Sequence, residues 1–501
     1  MKKSIDAEDI FFVPSYNIST FVFLRSLGFV YLVAFLCLYN DLIPLLGSQG
    51  LLPIEGYLER IHQHFDGDLY SAFWELPSLF HFYQNDFFLQ FCAGLGIILS
   101  LAILCGFQNM LILSILWVLY FSFVSVGQRW YSFGWEFQLL ETGFLACFFV
   151  PFLHPTKTII PSKATIYLGW WLGMRLMWGA GLIKIRGDAC WTDLTCLDYH
   201  FETQPVPNFL SPYFHNLPAG MLRFGVLCNH FVEIVLPFAL FLPSSKIRNI
   251  TGCILIFFQI TLILSGNLSF LNWLSILPFI LCIDDSFWSK WITAKRNFVQ
   301  SKPHFYLSYA YATLVLYLSI PVVQNLLSTE QAMNQSFDNL RLVNTYGAFG
   351  SVGKTRPELI MEGMDEHGNW LEYEFKCKPG SVDRRPCWIS PYHYRLDWLI
   401  WFAAMSGERN APIGRDTWLI HLIWKLLHND PIALSLLADS PFDGKTSPPQ
   451  KIRIQVYQYR FGTEQWWERE FSHTWIQPLS TEDKSLRQYI QKQGWNLYEK
   501  P

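Results

Sequence analysis

Stretches of about 20 apolar residues recur through the first two thirds of the chain, and nothing else constrains its fold as tightly. A run of that length crosses a bilayer as a helix, because lipid offers the backbone no outside hydrogen-bond partner. Only 15% of the 501 residues are charged, against about a quarter in an ordinary soluble chain. The class is therefore a polytopic membrane protein. A net charge of −3 leaves no footprint for a nucleic-acid partner.

The expected fold is an α-helical polytopic membrane bundle of about nine spans, followed by a soluble α+β domain. The spans fall near residues 20–40, 86–106, 109–126, 135–153, 165–184, 225–242, 249–265, 267–283 and 304–324. Pro278 can bend the eighth. The first run is too long for a signal-peptide core and lacks a small-residue cleavage site, so it reads as a span. With the N-terminus inside, the inner segments hold Lys2, Lys3, Lys157, Lys163, Lys246, Arg248, Lys290, Lys295, Arg296 and Lys302. The outer loops hold Arg60, Arg129, Arg186 and Arg223. That bias is the one the positive-inside rule requires. An odd number of spans then places residues 325–501 on the outer face and leaves 1–324 as the membrane domain.

Beyond Asn325 the apolar runs shorten and charge rises. Glu358–Glu362 and Lys451–Tyr459 read as strands, the second by period-two alternation. Asp397–Met405 and Thr417–Leu427 read as helices. Six of the 11 cysteines, Cys37, Cys92, Cys105, Cys147, Cys253 and Cys282, fall in spans and Cys228 at a span edge, as small buried residues do. Cys190, Cys196, Cys377 and Cys387 fall on the outer side, where disulfides are permitted. Cys377 with Cys387 and Cys190 with Cys196 are plausible pairs, and four unpaired thiols are the alternative.

The segment Gly179–Trp191 ends the fifth span in a cluster of Lys184, Arg186, Asp188 and Trp191. Asp193, Asp198, His200, Glu202 and Gln204 follow, among Pro205, Pro207 and Pro212. Ionisable groups at a bilayer edge need partners or water and mark candidate functional sites. Lys184 has two readings: a lysine reaching for the interface from a helix end, or a partly desolvated amine usable as a base. Arg186 and Asp188 are expected to partner each other, or Lys184 and Asp193.

Other patterns carry less. Ala348–Thr355 is spelled like a loose P-loop, but Arg356-Pro357 and a strand follow where a helix would be needed, so it reads as a glycine-rich turn. His62 and His64 lie near Asp66 and Asp68, a solvated polar loop rather than a metal site. Asn334-Gln335-Ser336 is the one glycosylation sequon in an exposed outer position. Tryptophans at span ends, such as Trp130, Trp170 and Trp178, fit an interfacial aromatic belt. No metal and no cofactor is expected.

Over Gly179–Trp191, Asp193–Asn208, Asn229–Glu233, Tyr346–Gly350, Glu372–Lys378 and Cys387–Trp398 the chain resembles the lipase maturation factor family, along nearly its whole length. The resemblance implies a multi-pass protein of the endoplasmic reticulum membrane in animals, needed for secreted lipases to reach their active form. In a bacterium it would sit in the inner (plasma) membrane, with no client implied. Ala180-Gly181-Leu182-Ile183-Lys184 is also similar to a span end of the vitamin K-dependent carboxylase, where the lysine is the catalytic base. That family's Asn-His pair is replaced here by Gly127–Ser132.

Two functions follow as expectations. In the first, a non-enzymatic folding factor holds a secreted client, a lipase, on apolar surface of its outer domain. Trp388, Tyr392, Trp398 and Trp466 are the candidates for that surface, with Trp401 and Trp467 beside them. In the second, a membrane enzyme acts on a lipid or quinone with Lys184 as base and Arg186, Asp188 and Asp193 as partners. Partners common to both are the lipid bilayer and no nucleic acid.

Overall fold

A computed structural model describes residues 14–292, 302–414, 416–442 and 447–498. Lys2, Lys3, Lys295 and Arg296 lie outside the described residues, as does the side chain of Lys302.

Nine helical segments run to and fro between two ends of a bundle. They are α1 (Asn17–Leu46), α2 (Asp86–Cys105), α3 (Met110–Val126), α4 (Gly134–Ala146), α5 (Lys163–Gly187), α6 (Ala219–Phe241), α7 (Ser245–Ser265), α8 (Leu271–Ile280) and α9 (Lys302–Leu327). Contacts at the two ends set the directions of α1, α2, α7 and α8. At the N-terminal end, Arg248 Nε on the first turn of α7 donates to Tyr16 OH at 3.0 Å, and Ile18 N donates to Asp285 Oδ1 at 2.7 Å. At the other end, Ser48 N donates to Asp86 Oδ1 at 2.8 Å and Gln204 Nε2 to Ser265 O at 2.8 Å.

Each expected span coincides with one of these segments, but among the described residues five qualify by length and apolarity, not nine: α1, α2, α6, α7 and α9. The shortfall has local causes. α3 has 17 residues, and α8 has 10 with Pro278 inside it. α4 carries Glu136 and Glu141, and α5 carries Arg175 and Lys184, all buried. Two of those charges answer each other across the bundle. Arg175 is ion-paired with Glu141, and its Nη1 donates to Asn344 O at 2.8 Å. Charges at that depth persist only when paired. The span cysteines are not uniformly buried: Cys105 is exposed, and Cys228 and Cys253 are half-buried.

The chain does not leave the bundle at the end of α9. Residues 328–355 fold back onto it. Gln331 Nε2 donates to Gly179 O at 3.0 Å, and Tyr346 OH to Glu141 Oε2 at 2.6 Å. A sheet then begins. β1 (Arg356–Met364), β2 (Trp370–Glu372), β5 (Lys451–Phe461) and β6 (Trp467–Leu479) form an antiparallel sheet in the order β2-β1-β5-β6. β3 (Glu374–Phe375) and β4 (Leu437–Asp439) form a second, two-stranded sheet. Opposite Glu358 on β1 lies Tyr457 on β5. The expected alternation on β5 points Ile452, Ile454 and Val456 inward. Helix α10 (Arg395–Glu408) packs on β1, and α11 (Thr417–Leu427) buries Trp418, Leu422 and Trp424.

Helix α11 also joins the two halves. His421 Nδ1 lies 2.8 Å from Leu51 O, and its ring stacks on Trp495 with centroids 4.0 Å apart. Burial pushes His421 down to about 3, against the Leu51 carbonyl, which favours the charged form; Lys425 lowers it further and Asp430 raises it. The folded state therefore binds fewer protons than the unfolded chain below pH 6.5. Stability should fall as pH drops from about 6.5 towards 3, by roughly 2 kcal/mol from this group at pH 5. Thermal unfolding at pH 7 and pH 5 checks this. His421→Gln should flatten the difference, and an unchanged pH slope would refute the assignment.

Candidate functional site

The glycines that close α5 are there for contact. A Cβ on Gly181 would come within 2.6 Å of Ile234 Cγ1, and one on Gly187 would collide with Gly350 O. The end of α5 thus lies directly against α6 on one side and the glycine-rich segment after α9 on the other. Only Gly permits such backbone approach.

This approach delivers Lys184 to α6. Its Nζ lies 2.6 Å from Glu233 Oε1 and 3.1 Å from Asn229 Oδ1, while Asn229 Nδ2 donates to Glu233 Oε2 at 2.9 Å. All three side chains are buried. Glu233 sits in a π-helical turn, Phe231–Val235, a local widening frequent at functional sites. The Trp191 ring lies 5.0 Å from Nζ, in cation–π range. His200 is buried beside them. Burial pushes it down to about 3, and the Lys184 charge adds to the effect. The arrangement is a closed ring of ammonium, amide and carboxylate.

Lys184 is not paired with Asp193, which is exposed. Nor do Arg186 and Asp188 pair with each other. Arg186 Nη1 donates to Leu326 O at 2.9 Å and Gln331 Oε1 at 2.8 Å. Asp188 accepts from Cys190 N at 3.0 Å and Val352 N at 3.3 Å. The reason is geometric: after Gly187 the helix ends, so Asp188 turns to cap the short helix Ala189–Thr192. Trp191 Nε1 donates to Phe349 O at 2.9 Å. Glu233 and Asn229 were missed as partners of Lys184. Their i, i+4 spacing was a usable signal, since it puts both on one helix face.

The loop beyond binds the C-terminal domain. Arg356 Nη1 donates to Glu202 O at 2.6 Å and Gln204 O at 2.5 Å. Arg356 Nη2 is ion-paired with Glu358 at 2.6 Å, and Lys378 Nζ reaches the other Glu358 oxygen at 3.0 Å. Glu202 Oε1 accepts from Phe461 N at 2.7 Å. Asp198 is half-buried on the helix Leu197–Thr203. Lys184, Trp191, His200, Glu202 and Gln204 thus converge where the bundle and the C-terminal domain meet.

The tryptophans proposed as client surface divide. Trp398 is 5% exposed, with its ring centroid 4.9 Å from Trp135, so it is core rather than surface. Trp467 is likewise buried. Trp401 Nε1 is tied to Thr203 O at 3.0 Å. Tyr392 is half-buried and accepts from Asn40 at the end of α1. Trp388 is 38% exposed beside Phe209, and Trp466 is half-buried near Arg385. The apolar faces of α10 and the Cys387–Tyr394 segment are used to hold the bundle, which removes most candidates from solvent.

Cys190 is joined to Cys196 and Cys377 to Cys387, with Cα–Cα distances of 4.7 and 5.7 Å, inside the range a disulfide spans. Seven cysteines remain free. Alkylation of purified protein, denatured without reductant, should add seven groups by intact mass, rising to 11 after reduction. Uptake of 11 without reductant would show four free thiols instead.

Residues 348–355 form no helix, and β1 starts at Arg356, so no phosphate-binding helix end follows the glycine-rich segment. Asn334 Nδ2 donates to Gly347 O at 3.0 Å, a bond that a glycan on that nitrogen would disturb. His62 Nε2 lies 2.9 Å from His81 Nδ1. Among the described residues no group of three or more His, Cys, Asp or Glu side chains is placed to hold a metal.

Comparison with known proteins accounts for the two halves together. The family model of the lipase maturation factor transmembrane domain matches residues 18–290, and that of the lipase maturation factor C-terminal domain matches residues 342–477. Lipase maturation factor 1 of Mus musculus is 44% identical, across 96% of this chain and 90% of its own length. The Homo sapiens protein of the same name is 43% identical across 95% and 90%. Lipase maturation factor 2 of Xenopus laevis is 27% identical across 96% and 84%. No solved structure matches the chain. With the bundle, the loop and the C-terminal domain all covered, the chain belongs to the lipase maturation factor family.

Proposed function

We propose that this chain is a membrane-anchored maturation factor that holds a secreted client, a lipase in the first instance, while it folds or assembles. The observation that carries the reading is family membership along almost the full length, with relatives named for lipase maturation. The joint between the halves supports it. The buried Arg395–Glu136 ion pair, and the hydrogen bonds from Arg356 to the Glu202 and Gln204 carbonyls, tie the outer domain to the bundle and its loop, so a client held by the one is held at a fixed height above the bilayer. Crosslinking in native membranes, followed by pull-down, tests the reading. Enrichment of a secreted hydrolase supports it, and recovery of lipid alone would overturn it.

The same reading places nine crossings in the membrane and the outer domain on the face opposite the N-terminus. That face is the endoplasmic reticulum lumen in a eukaryote or the periplasm in a bacterium. Support comes from the alternation of the nine segments and the inner excess of Lys and Arg. A cysteine introduced at Ser447 should react with a membrane-impermeant reagent from the outer face of sealed membranes. Protection there would reverse the topology.

A further inference from the structure

Between α1 and α2 the chain exposes an unusual density of large apolar side chains. Leu69, Tyr70, Trp74, Phe82 and Tyr83 are all exposed, Tyr70 by 72% and Phe82 by 66%. From β1 onward only Trp388, Phe402 and Phe471 are exposed large apolar side chains among the described residues, at 38%, 37% and 53%. The rings are not scattered. Tyr70 meets Trp74 with centroids 6.2 Å apart, Phe73 meets both Trp74 at 6.3 Å and Phe82 at 6.2 Å, and Tyr83 meets Phe88 at 5.3 Å. Phe88 belongs to α2, an apolar segment long enough to cross a membrane. Phe87 and Phe91, on its first turns, are exposed by 77% and 55%. The aromatic surface therefore runs without a break from the loop into a lipid-facing helix.

We propose that Leu69–Tyr83 lies in the headgroup zone of the leaflet on the outer-domain side, as an in-plane aromatic anchor. Three physical points select this occupant. Tyr and Trp are enriched at that depth because one end of each ring system is apolar and the other polar. The loop starts at the end of α1 and finishes at the start of α2, which are close in space: Ser48 N and Oγ both bond Asp86. Its two ends are thus held at the membrane boundary. Its charge selects the lipid, since residues 51–85 hold Glu55, Glu59, Asp66, Asp68 and Glu75 against one arginine, Arg60. An anionic lipid surface would repel it, so the partner is a zwitterionic headgroup layer. The loop also steadies the segment after α9, as Asn339 Nδ2 donates to Trp74 O at 3.0 Å.

The test uses the full chain in phosphatidylcholine nanodiscs, with an environment-sensitive fluorescent amino acid in place of Tyr70 and, separately, of Phe82. Lipids carrying a nitroxide near the headgroup should quench both labels at least twofold more than lipids carrying it at the chain end. Iodide in the buffer should quench them less than a label at Glu468 on β6, which is exposed. Full iodide quenching with no lipid quenching would overturn the proposal. Shielding from iodide without lipid quenching would also overturn it, in favour of a protein occupant. Replacing half of the phosphatidylcholine with phosphatidylserine should leave lipid quenching level or lower. A rise would overturn the choice of a zwitterionic layer.

Discussion

Arg395→Met is expected to destabilise the protein by about 3–5 kcal/mol, because it leaves a carboxylate buried without its cation. Arg395 and Glu136 are both fully buried, with Nη1 2.7 Å from Glu136 Oε1 and 2.6 Å from Trp130 O. The guanidinium also lies 3.5 Å from the centroid of the Tyr131 ring. Trp135 Nε1 and Tyr120 OH donate to the same carboxylate. This cluster joins the first turn of α10 to α4, so its loss should loosen the C-terminal domain from the bundle. Limited proteolysis between the halves and thermal unfolding in detergent would read the effect. The double variant Arg395→Met with Glu136→Gln should recover part of the loss, since no charge is then stranded. A melting temperature unchanged by Arg395→Met would show that the cluster contributes little.

Lys184→Met should have a comparable effect, and for a related reason: it strands Glu233, which is 3% exposed. Breaking a buried pair by removing one partner typically costs about 3–5 kcal/mol. The single variant alone therefore cannot separate a structural lysine from a base, since it lowers protein level in both cases. Lys184→Met with Glu233→Leu removes both charges and should restore accumulation. Client maturation measured at equal protein level then decides between the readings. Full maturation in the double variant assigns Lys184 to the packing of α5 against α6. Normal accumulation with maturation abolished would instead favour a catalytic amine at this position. The geometry weighs against that alternative, because Nζ is already engaged by Glu233 and Asn229 within a closed ring of side chains.

Much of the fold was legible because membranes impose one rule on every segment. Apolar runs such as α1 and α7 need no tertiary information to be recognised, since length and composition suffice. The strand at Lys451–Phe461 was equally open to reading, because alternation survives in a sheet with one packed face. The weaker spans were harder for an identifiable reason. Glu136, Glu141 and Arg175 lower the apolarity of α4 and α5, and their partners lie far away in the chain, at Arg395, Asn344 and Tyr346.

The candidate site divides along the same line. That the end of α5 is crowded with glycine, charge and tryptophan is plain from residue order alone. Which charges meet is not. Local spacing suggested Arg186 with Asp188, but α5 ends between them and each turns to a different neighbour. Lys184 finds Glu233, 49 positions on, only because Gly181 lets α6 approach. Trp398 misled in the same way, since an aromatic on a polar module reads as surface until the bundle is packed against it. Apolar length and side-chain alternation are properties of a single segment, so the chain by itself determined a helical membrane bundle followed by a C-terminal α+β domain. Ion pairing and the burial of individual rings depend on pairs of segments distant in sequence, and those the tertiary structure alone decided.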